Sequence, residues 1–308
     1  MKDFSQARLY FEKELKSSLI EAEKKHASLK KLNPIYVVGM SVFVISIFMD
    51  NILLAFVSFG VVALLMFLNR EKYAEARSEH KEVLVGPLMR YIDENIKYIP
   101  NGEIDKYVLE NSLLFKDAIR YESENLMRYS LGKERVTLAF VTAYMESQSS
   151  GEDDVGEEMS SSRLFATVKS ARKIEGAVCI FPDFAQKHLG FVGEGIQSSK
   201  YGKLQKVKLD DPRFEKEFVV YASEQVTANY ILTHTIMEVL TKISKEDRKK
   251  LSISFVGDKI YVGLTMNYGF FLHDISRKLS DFTPVSHSLK GFYTVVDILE
   301  DIYQHHDI

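Results

Sequence analysis

The sequence predicts an α+β protein: a membrane helical hairpin and a helical stalk, followed by a cytosolic mixed α/β domain with mainly antiparallel strands. Three observations predict it. Ile35–Leu68 is an apolar run whose one charged residue is Asp50, longer than a core helix of an aqueous domain accommodates. The segments on either side of it carry apolar residues at three- to four-residue steps. Beyond residue 100, apolar runs separated by Gly, Asp and Pro turn signals take over, the clearest being Ser252–Val256 and Lys259–Thr265 around Gly257-Asp258.

Residues 1–33 read as an amphipathic helix. Lys2–Lys31 contains no Gly or Pro, and Phe4, Ala7, Phe11, Leu15, Leu19, Ala22 and Leu29 share one face. That face can lie on an inner leaflet, with Lys24, Lys25, Lys30 and Lys31 near headgroups. It can also pack on the chain's own later helix, which the matching stripe Tyr73, Ala76, His80, Val83, Leu84, Leu88, Tyr91 and Ile92 favours.

Residues 34–69 read as a transmembrane helical hairpin turning at Asp50 and Asn51. At about 1.5 Å per residue the arms Ile35–Met49 and Ile52–Leu68 span roughly 22 and 26 Å, slightly short of about 30 Å of hydrocarbon. A single helix would strand Asp50 near the bilayer centre; a shallow hairpin returning to the same side is the alternative. Lysines and arginines precede and follow the hairpin, and Asp50-Asn51 carries no positive charge. The expectation is a two-pass protein of the bacterial inner (cytoplasmic) membrane with both termini cytoplasmic. No short hydrophobic segment with a small-residue cleavage site precedes it, so no signal peptide is expected.

Residues 70–100 read as a cytosolic stalk helix with Gly86-Pro87 as a kink or break, ended by Pro100-Asn101-Gly102. The soluble α+β domain, 101–308, follows. A short helix is expected near Glu103–Leu114, then strands at Asn125–Ser130 and Arg135–Glu146. Gln148–Ser162 reads as an acid-rich loop. Further strands are expected at Arg163–Lys169, Lys173–Phe181, Lys203–Lys208 and Glu217–Tyr221, with a Gly-rich connection over Gly190–Gly202. Ser223 and Thr233 are candidate helix caps, and Gly291–Tyr303 reads as a terminal helix.

The totals narrow the function classes. The 308 residues carry a net charge of −3 and show no concentrated basic run, which argues against a nucleic-acid partner. The single cysteine, Cys179, excludes an internal disulfide and a Cys-based zinc cluster.

The string KLQKVKLDDPRFEKEFVVYASEQVTANYILTHTIMEVL, followed by LSISFVGDKIYVGL, resembles the core of a bacterial family of membrane-anchored proteins of unknown function, the DUF-3137 type, often encoded near LemA-type proteins. The resemblance rests on Leu209, Asp211, Pro212, Phe214, Phe218, Val220, Tyr221, Glu224-Gln225, Ala228, Tyr230-Ile231-Leu232-Thr233, Ser254-Phe255-Val256 and Tyr261-Val262. Phe181-Pro182-Asp183-Phe184 is similar to the family's phenylalanine-rich turn without its usual glycine. The resemblance implies a fold, a membrane location and a LemA-type protein as a possible partner; it implies no activity. From the residues themselves, Asp211 and Pro212 open a helical turn, Phe214 and Phe218 can share one helical face, and Tyr221, Tyr230, Ile231 and Leu232 read as core.

No pattern converges on chemistry. Cys179 sits in the apolar string AVCIF and reads as an inert buried thiol. His188, His234 and His273 are scattered, without an HExxH pair, and His305-His306 is a terminal pair. Glu152, Asp153, Asp154, Glu157 and Glu158 depart from an EF-hand spacing. Gly190–Gly195 lacks the ending of a P-loop, and no GxSxG elbow occurs. The expectation is therefore a non-enzymatic, membrane-anchored binding or scaffold protein without cofactor or metal. Its expected partners are the lipid bilayer, a membrane or cytosolic protein, and a second copy through hairpin or stalk. The alternative is a membrane-proximal enzyme acting on a lipid or peptide, with Glu224 or Asp211 and a histidine brought together by folding.

Overall fold

The computed structural model describes residues 1–115, 117–146, 157–170, 173–183, 196–198, 200–267, 269–271 and 277–306. These form an α+β chain that divides into two compact units, Met1–Glu94 with Phe271–Ser286, and Asn95–Phe270 with His287–Ile308.

The first unit is helical. Asp3 caps α1 (Phe4–Tyr10) in a capping box with Gln6. After one π-helical turn (Phe11–Leu15), α2 (Lys16–Lys25) and α3 (Ala27–Lys30) complete the N-terminal arm. The arm packs on the chain's own later helix: Tyr10 stacks on Tyr91 at 4.0 Å, and the Lys2 amide donates to the Ile92 carbonyl. The next two helices are α4 (Asn33–Phe48) and α5 (Ile52–His80). A second π-helical turn (Lys81–Val85) then leads into α6 (Gly86–Ile92). The helix does not break at Gly86-Pro87 but runs from Ile52 to Ile92, and the irregularity shows as the π turn Lys81–Val85 immediately before Pro87, whose ring and missing N–H a regular α-helical interior does not accommodate.

The second unit is built on one open, ten-stranded sheet in the order β1-β2-β3-β4-β10-β9-β5-β8-β7-β6, every ladder antiparallel. The strands are β1 (Lys97–Ile99), β2 (Arg120–Leu131), β3 (Glu134–Glu146), β4 (Glu157–Lys169), β5 (Ala177–Pro182), β6 (Ile196–Ser198), β7 (Gly202–Val207), β8 (Phe218–Ala222), β9 (Leu251–Val256) and β10 (Lys259–Thr265). Gly132 and Gly257 take φ of +58° and +63° in the two tight hairpin turns, a backbone region that favours glycine. β1 replaces the expected end of the stalk helix. β6 lies inside the expected Gly-rich connection, and β2 begins five residues before the expected strand. β2 contains a bulge at Asn125, φ +57°. Its side chain accepts from Tyr98 Oη at 2.7 Å and donates to the Phe270 carbonyl at 3.1 Å, so the bulge is pinned on both sides.

One sheet face packs Ala139, Val141, Phe165, Cys179, Tyr221 and Tyr261 against Leu109, Leu114 and Phe115, the latter three from α7 (Lys106–Asn111) and the loop after it. Helices α8 (Pro212–Glu215), α9 (Gln225–Ile231), α10 (His234–Lys242) and α11 (Lys245–Arg248) follow β7 and β8. α12 (Phe282–His306) begins earlier than expected, and Gly291 lets it approach Met266, whose Sδ would lie 2.8 Å from an added Cβ.

Candidate functional site

The hairpin is the feature with the plainest physical signature. α4 and α5 are joined by Asp50, which adopts φ +51°, and Asn51, whose side chain caps α5 by accepting from the Leu54 amide at 3.1 Å. The helices touch closely at Gly39 and Val62, and Phe43 and Phe59 pack at 5.5 Å. Their outward faces are apolar and exposed: Phe48 is 85% exposed, Leu53 77% and Phe56 72%. Ser41, Ser46 and Ser58 each donate to a carbonyl of their own helix, so no hydroxyl in the run needs water. The continuous helices to which α4 and α5 belong, Ala27–Phe48 and Ile52–Ile92, are long and apolar enough to cross a membrane. At the tip, a groove of about 480 Å³ is lined by Phe43, Ser46, Ile47, Asp50, Ile52, Ala55, Phe56 and Phe59.

A polar clasp holds the arm to α5. Lys25 Nζ sits 3.0 Å from both Glu75 and Glu79, and His26 Nε2 lies 2.5 Å from Glu79 Oε2. The His26 hydrogen bond, with Lys25 adding to it against the cost of burial, holds the Glu79 carboxyl below the usual range. Arg8 stands over the Phe282 ring at 5.6 Å, and Phe11 packs on the same ring at 5.0 Å.

In the sheet unit the motif residues divide by role. Asp211 accepts from the Arg213 and Phe214 amides at 2.9 and 3.2 Å, so its carboxylate caps α8, and those two hydrogen bonds keep its pKa low. Pro212 is the first helical residue. Phe214 and Phe218 do not share a helical face, because α8 ends at Glu215 and Phe218 opens β8; their rings still meet at 5.0 Å. Tyr221 and Leu232 are buried, but Tyr230 is 55% exposed and is not core. α9 is seven residues long and turns Tyr230 outward beside buried Ile231. Ser223 accepts from the Ala177 amide instead of capping α9, which Glu224 begins without a side-chain cap. Thr233 does cap α10.

Burial on all sides pushes the Cys179 thiol up, which keeps it protonated and inert. Among the described residues no three His, Cys, Asp or Glu side chains gather as a metal site. His188, His273, Glu152, Asp153, Asp154 and Gly190–Gly195 lie outside the described residues, as does the side chain of Glu157. His305 Nδ1 faces the Asp301 carbonyl of its own helix at 2.7 Å. Arg163, missed in the sequence, is buried in the core. Its Nη1 donates to the Leu114 carbonyl, its guanidinium lies 5.2 Å from the Phe115 ring, and burial lowers its pKa to about 10.

Residues 164–303 match the family model described as "Protein of unknown function (DUF3137)". The match starts inside β4, so the hairpin, the arm and β1–β3 precede it. No curated protein matches the chain. Among solved structures the chain is similar to the "crystal structure of the mycobacterial trehalose monomycolate transport factor A, TtfA", with 7% identity and a TM-score of 0.34, covering 67% of this chain and 89% of that one. A likeness at that level bears on neither mechanism nor partner.

Proposed function

We propose that this chain, which carries a domain of the DUF3137 family over residues 164–303, is a non-enzymatic, membrane-anchored binding or scaffold protein. The observation that carries the reading is the hairpin: two packed helices with exposed apolar outer faces and internally satisfied hydroxyls, a surface suited to lipid. In this reading α4 and α5 cross the bacterial cytoplasmic membrane, Asp50 and Asn51 face the periplasm, and both termini lie in the cytoplasm. The sheet unit then presents its surface to a protein partner, a LemA-type membrane protein or a second copy being the candidates. Asp211 supports the non-enzymatic reading, since its carboxylate accepts from the Arg213 and Phe214 amides and so serves α8.

Two measurements test the proposal. An impermeant maleimide added from the periplasmic side should label Asp50→Cys; absence of labelling, with full labelling after lysis, would favour the shallow hairpin. Purification of the full chain in detergent should recover a stoichiometric protein partner or a defined oligomer. A lone monomer in every detergent tried would count against a scaffold.

A further inference from the structure

The strand register gathers cations that the sequence scatters. On the sheet face that carries Tyr261, Cys179 and Tyr221, one row runs Lys97, Arg128, Thr137, Thr167, Tyr261 across β1, β2, β3, β4 and β10. The neighbouring row holds the pairs Ser130 with Arg135 and Lys169 with Lys259. Carrying the β3–β4 register two residues past Thr137 and Thr167 sets Arg135 beside Lys169. Four strand steps cover about 19 Å, so these five cations form one continuous patch.

Two features separate the patch from an ordinary solvated surface. Lys97 is registered directly opposite Arg128, and Lys169 directly opposite Lys259, and like charges in that position weaken a sheet. None of the five forms an ion pair with a carboxylate among the described residues. The two acids adjacent in sequence are Glu134, which precedes Arg135 in β3 and by strand alternation belongs to the opposite face, and Asp258, which lies in the hairpin turn beside Lys259 and whose carbonyl accepts from the Ser170 amide. Edge protection explains a lysine on the three-residue edge strand β1, but Lys169 and Lys259 lie on interior strands where no edge needs protecting. At one end of the patch, Lys97, Arg128 and Arg135 line a pocket of about 240 Å³ together with Asn95 and Ser130, a donor set suited to a phosphate group.

We infer that this cationic sheet face docks on an anionic phospholipid surface, with headgroup phosphates meeting Lys97, Arg128, Arg135, Lys169 and Lys259. The inference rests on the anchor reading of the hairpin. β1 begins at Lys97, 29 residues after Leu68, the end of the apolar run, so the sheet unit stays covalently tethered to the bilayer by the intervening helix. Such a tether raises the effective concentration of lipid, and each cation near an anionic leaflet adds to the attraction. A nucleic-acid ligand would face the same cations without that tether.

The test uses the full chain in nanodiscs of phosphatidylcholine alone, or with about one third phosphatidylglycerol. Acylation of each lysine by an amine-reactive reagent is followed by mass spectrometry. Lys97, Lys169 and Lys259 should react at least about five-fold more slowly in the anionic discs, while exposed Lys216 and Lys245 keep their rates. Raising salt from about 0.05 to 0.5 M should remove the protection in the unaltered chain, and Arg128→Glu with Arg135→Glu should remove it at low salt. Equal rates in the two discs, with the chain present in both, overturn this inference alone. A chain that never enters the discs overturns the anchor reading and the inference with it. If inorganic phosphate, or a single-stranded oligonucleotide, protects the three lysines in phosphatidylcholine discs as well as the anionic lipid does, the lipid assignment is overturned in favour of that ligand.

Discussion

Gly39 and Val62 set the spacing of the hairpin: a Cβ at Gly39 would come within 2.4 Å of Val62 Cγ2. Only hydrogen at that position lets the two helices close, so the contact between Phe43 and Phe59 depends on it. In Gly39→Leu the arms must splay. The engineered pair Phe43→Cys with Phe59→Cys should cross-link readily in the parent and several-fold less in Gly39→Leu, an overpacking penalty of about 1–3 kcal/mol. Gly60→Leu is the control, because nothing lies within 4 Å of its added Cβ; equal loss in both variants would remove the special role of Gly39.

The clasp at Glu79 carries a pH dependence. The His26 hydrogen bond holds its carboxyl, in the folded chain, below the ordinary glutamate value of about 4.3. The stabilisation is therefore fully present above about that pH and is lost as pH falls through the depressed folded value. Protection of the 16–30 segment against hydrogen exchange in detergent, taken relative to the intrinsic rate at each pH, should fall under acid conditions. Glu79→Gln should show the lowered protection at neutral pH and little further change on acidification. An acid response as large in Glu79→Gln as in the parent would assign it to another group.

Cys179 should be silent toward thiol reagents. Burial raises its pKa and excludes the reagent, so native protein at pH 8 should incorporate no maleimide, and unfolded protein should incorporate one equivalent. Cys179→Ser places a hydroxyl in an apolar strand and should cost about 1–3 kcal/mol in urea unfolding. Rapid native labelling would mean that β5 opens locally.

The residues Asp211 and Tyr230 should respond differently to mutation. Asp211→Ala removes a helix cap and should cost about 1 kcal/mol, measured as a shift of the urea midpoint. Tyr230→Ser, at an exposed position, should stay within about 0.5 kcal/mol. Loss of partner recovery in Tyr230→Ser without loss of stability would mark Tyr230 as a contact residue. A cost above about 2 kcal/mol would return it to a structural role.

Backbone strain gives a sharper contrast. Gly176 has φ +119°, and a Cβ there would meet Ser223 Oγ at 2.2 Å, the same oxygen that accepts from the Ala177 amide. Gly176→Ala should cost at least about 2 kcal/mol, against about 1 kcal/mol for Gly202→Ala, which has φ +69° in open space. Similar costs at both sites would show that Ser223 gives way.

The sequence by itself determined what depends on local pattern. The apolar run 35–68 with a single charge specified a hairpin, because length and hydrophobicity suffice for that inference. The β9–β10 hairpin followed from alternating residues around Gly257-Asp258, and the Asp211-Pro212 start of α8 from capping chemistry. What depends on pairing between distant segments was decided by the tertiary structure alone. Phe218 left the helix for β8 because strand pairing with Pro182 outweighed its spacing from Phe214. Tyr230 faced outward because a short helix buries one side only. Arg163 gave no signal, since its partners Leu114 and Phe115 stand far from it in the chain. The cationic face was invisible for the same reason: Lys97, Arg128, Arg135, Lys169 and Lys259 are spread across the sequence, and only the antiparallel register, repeated over four strand pairs, sets them side by side.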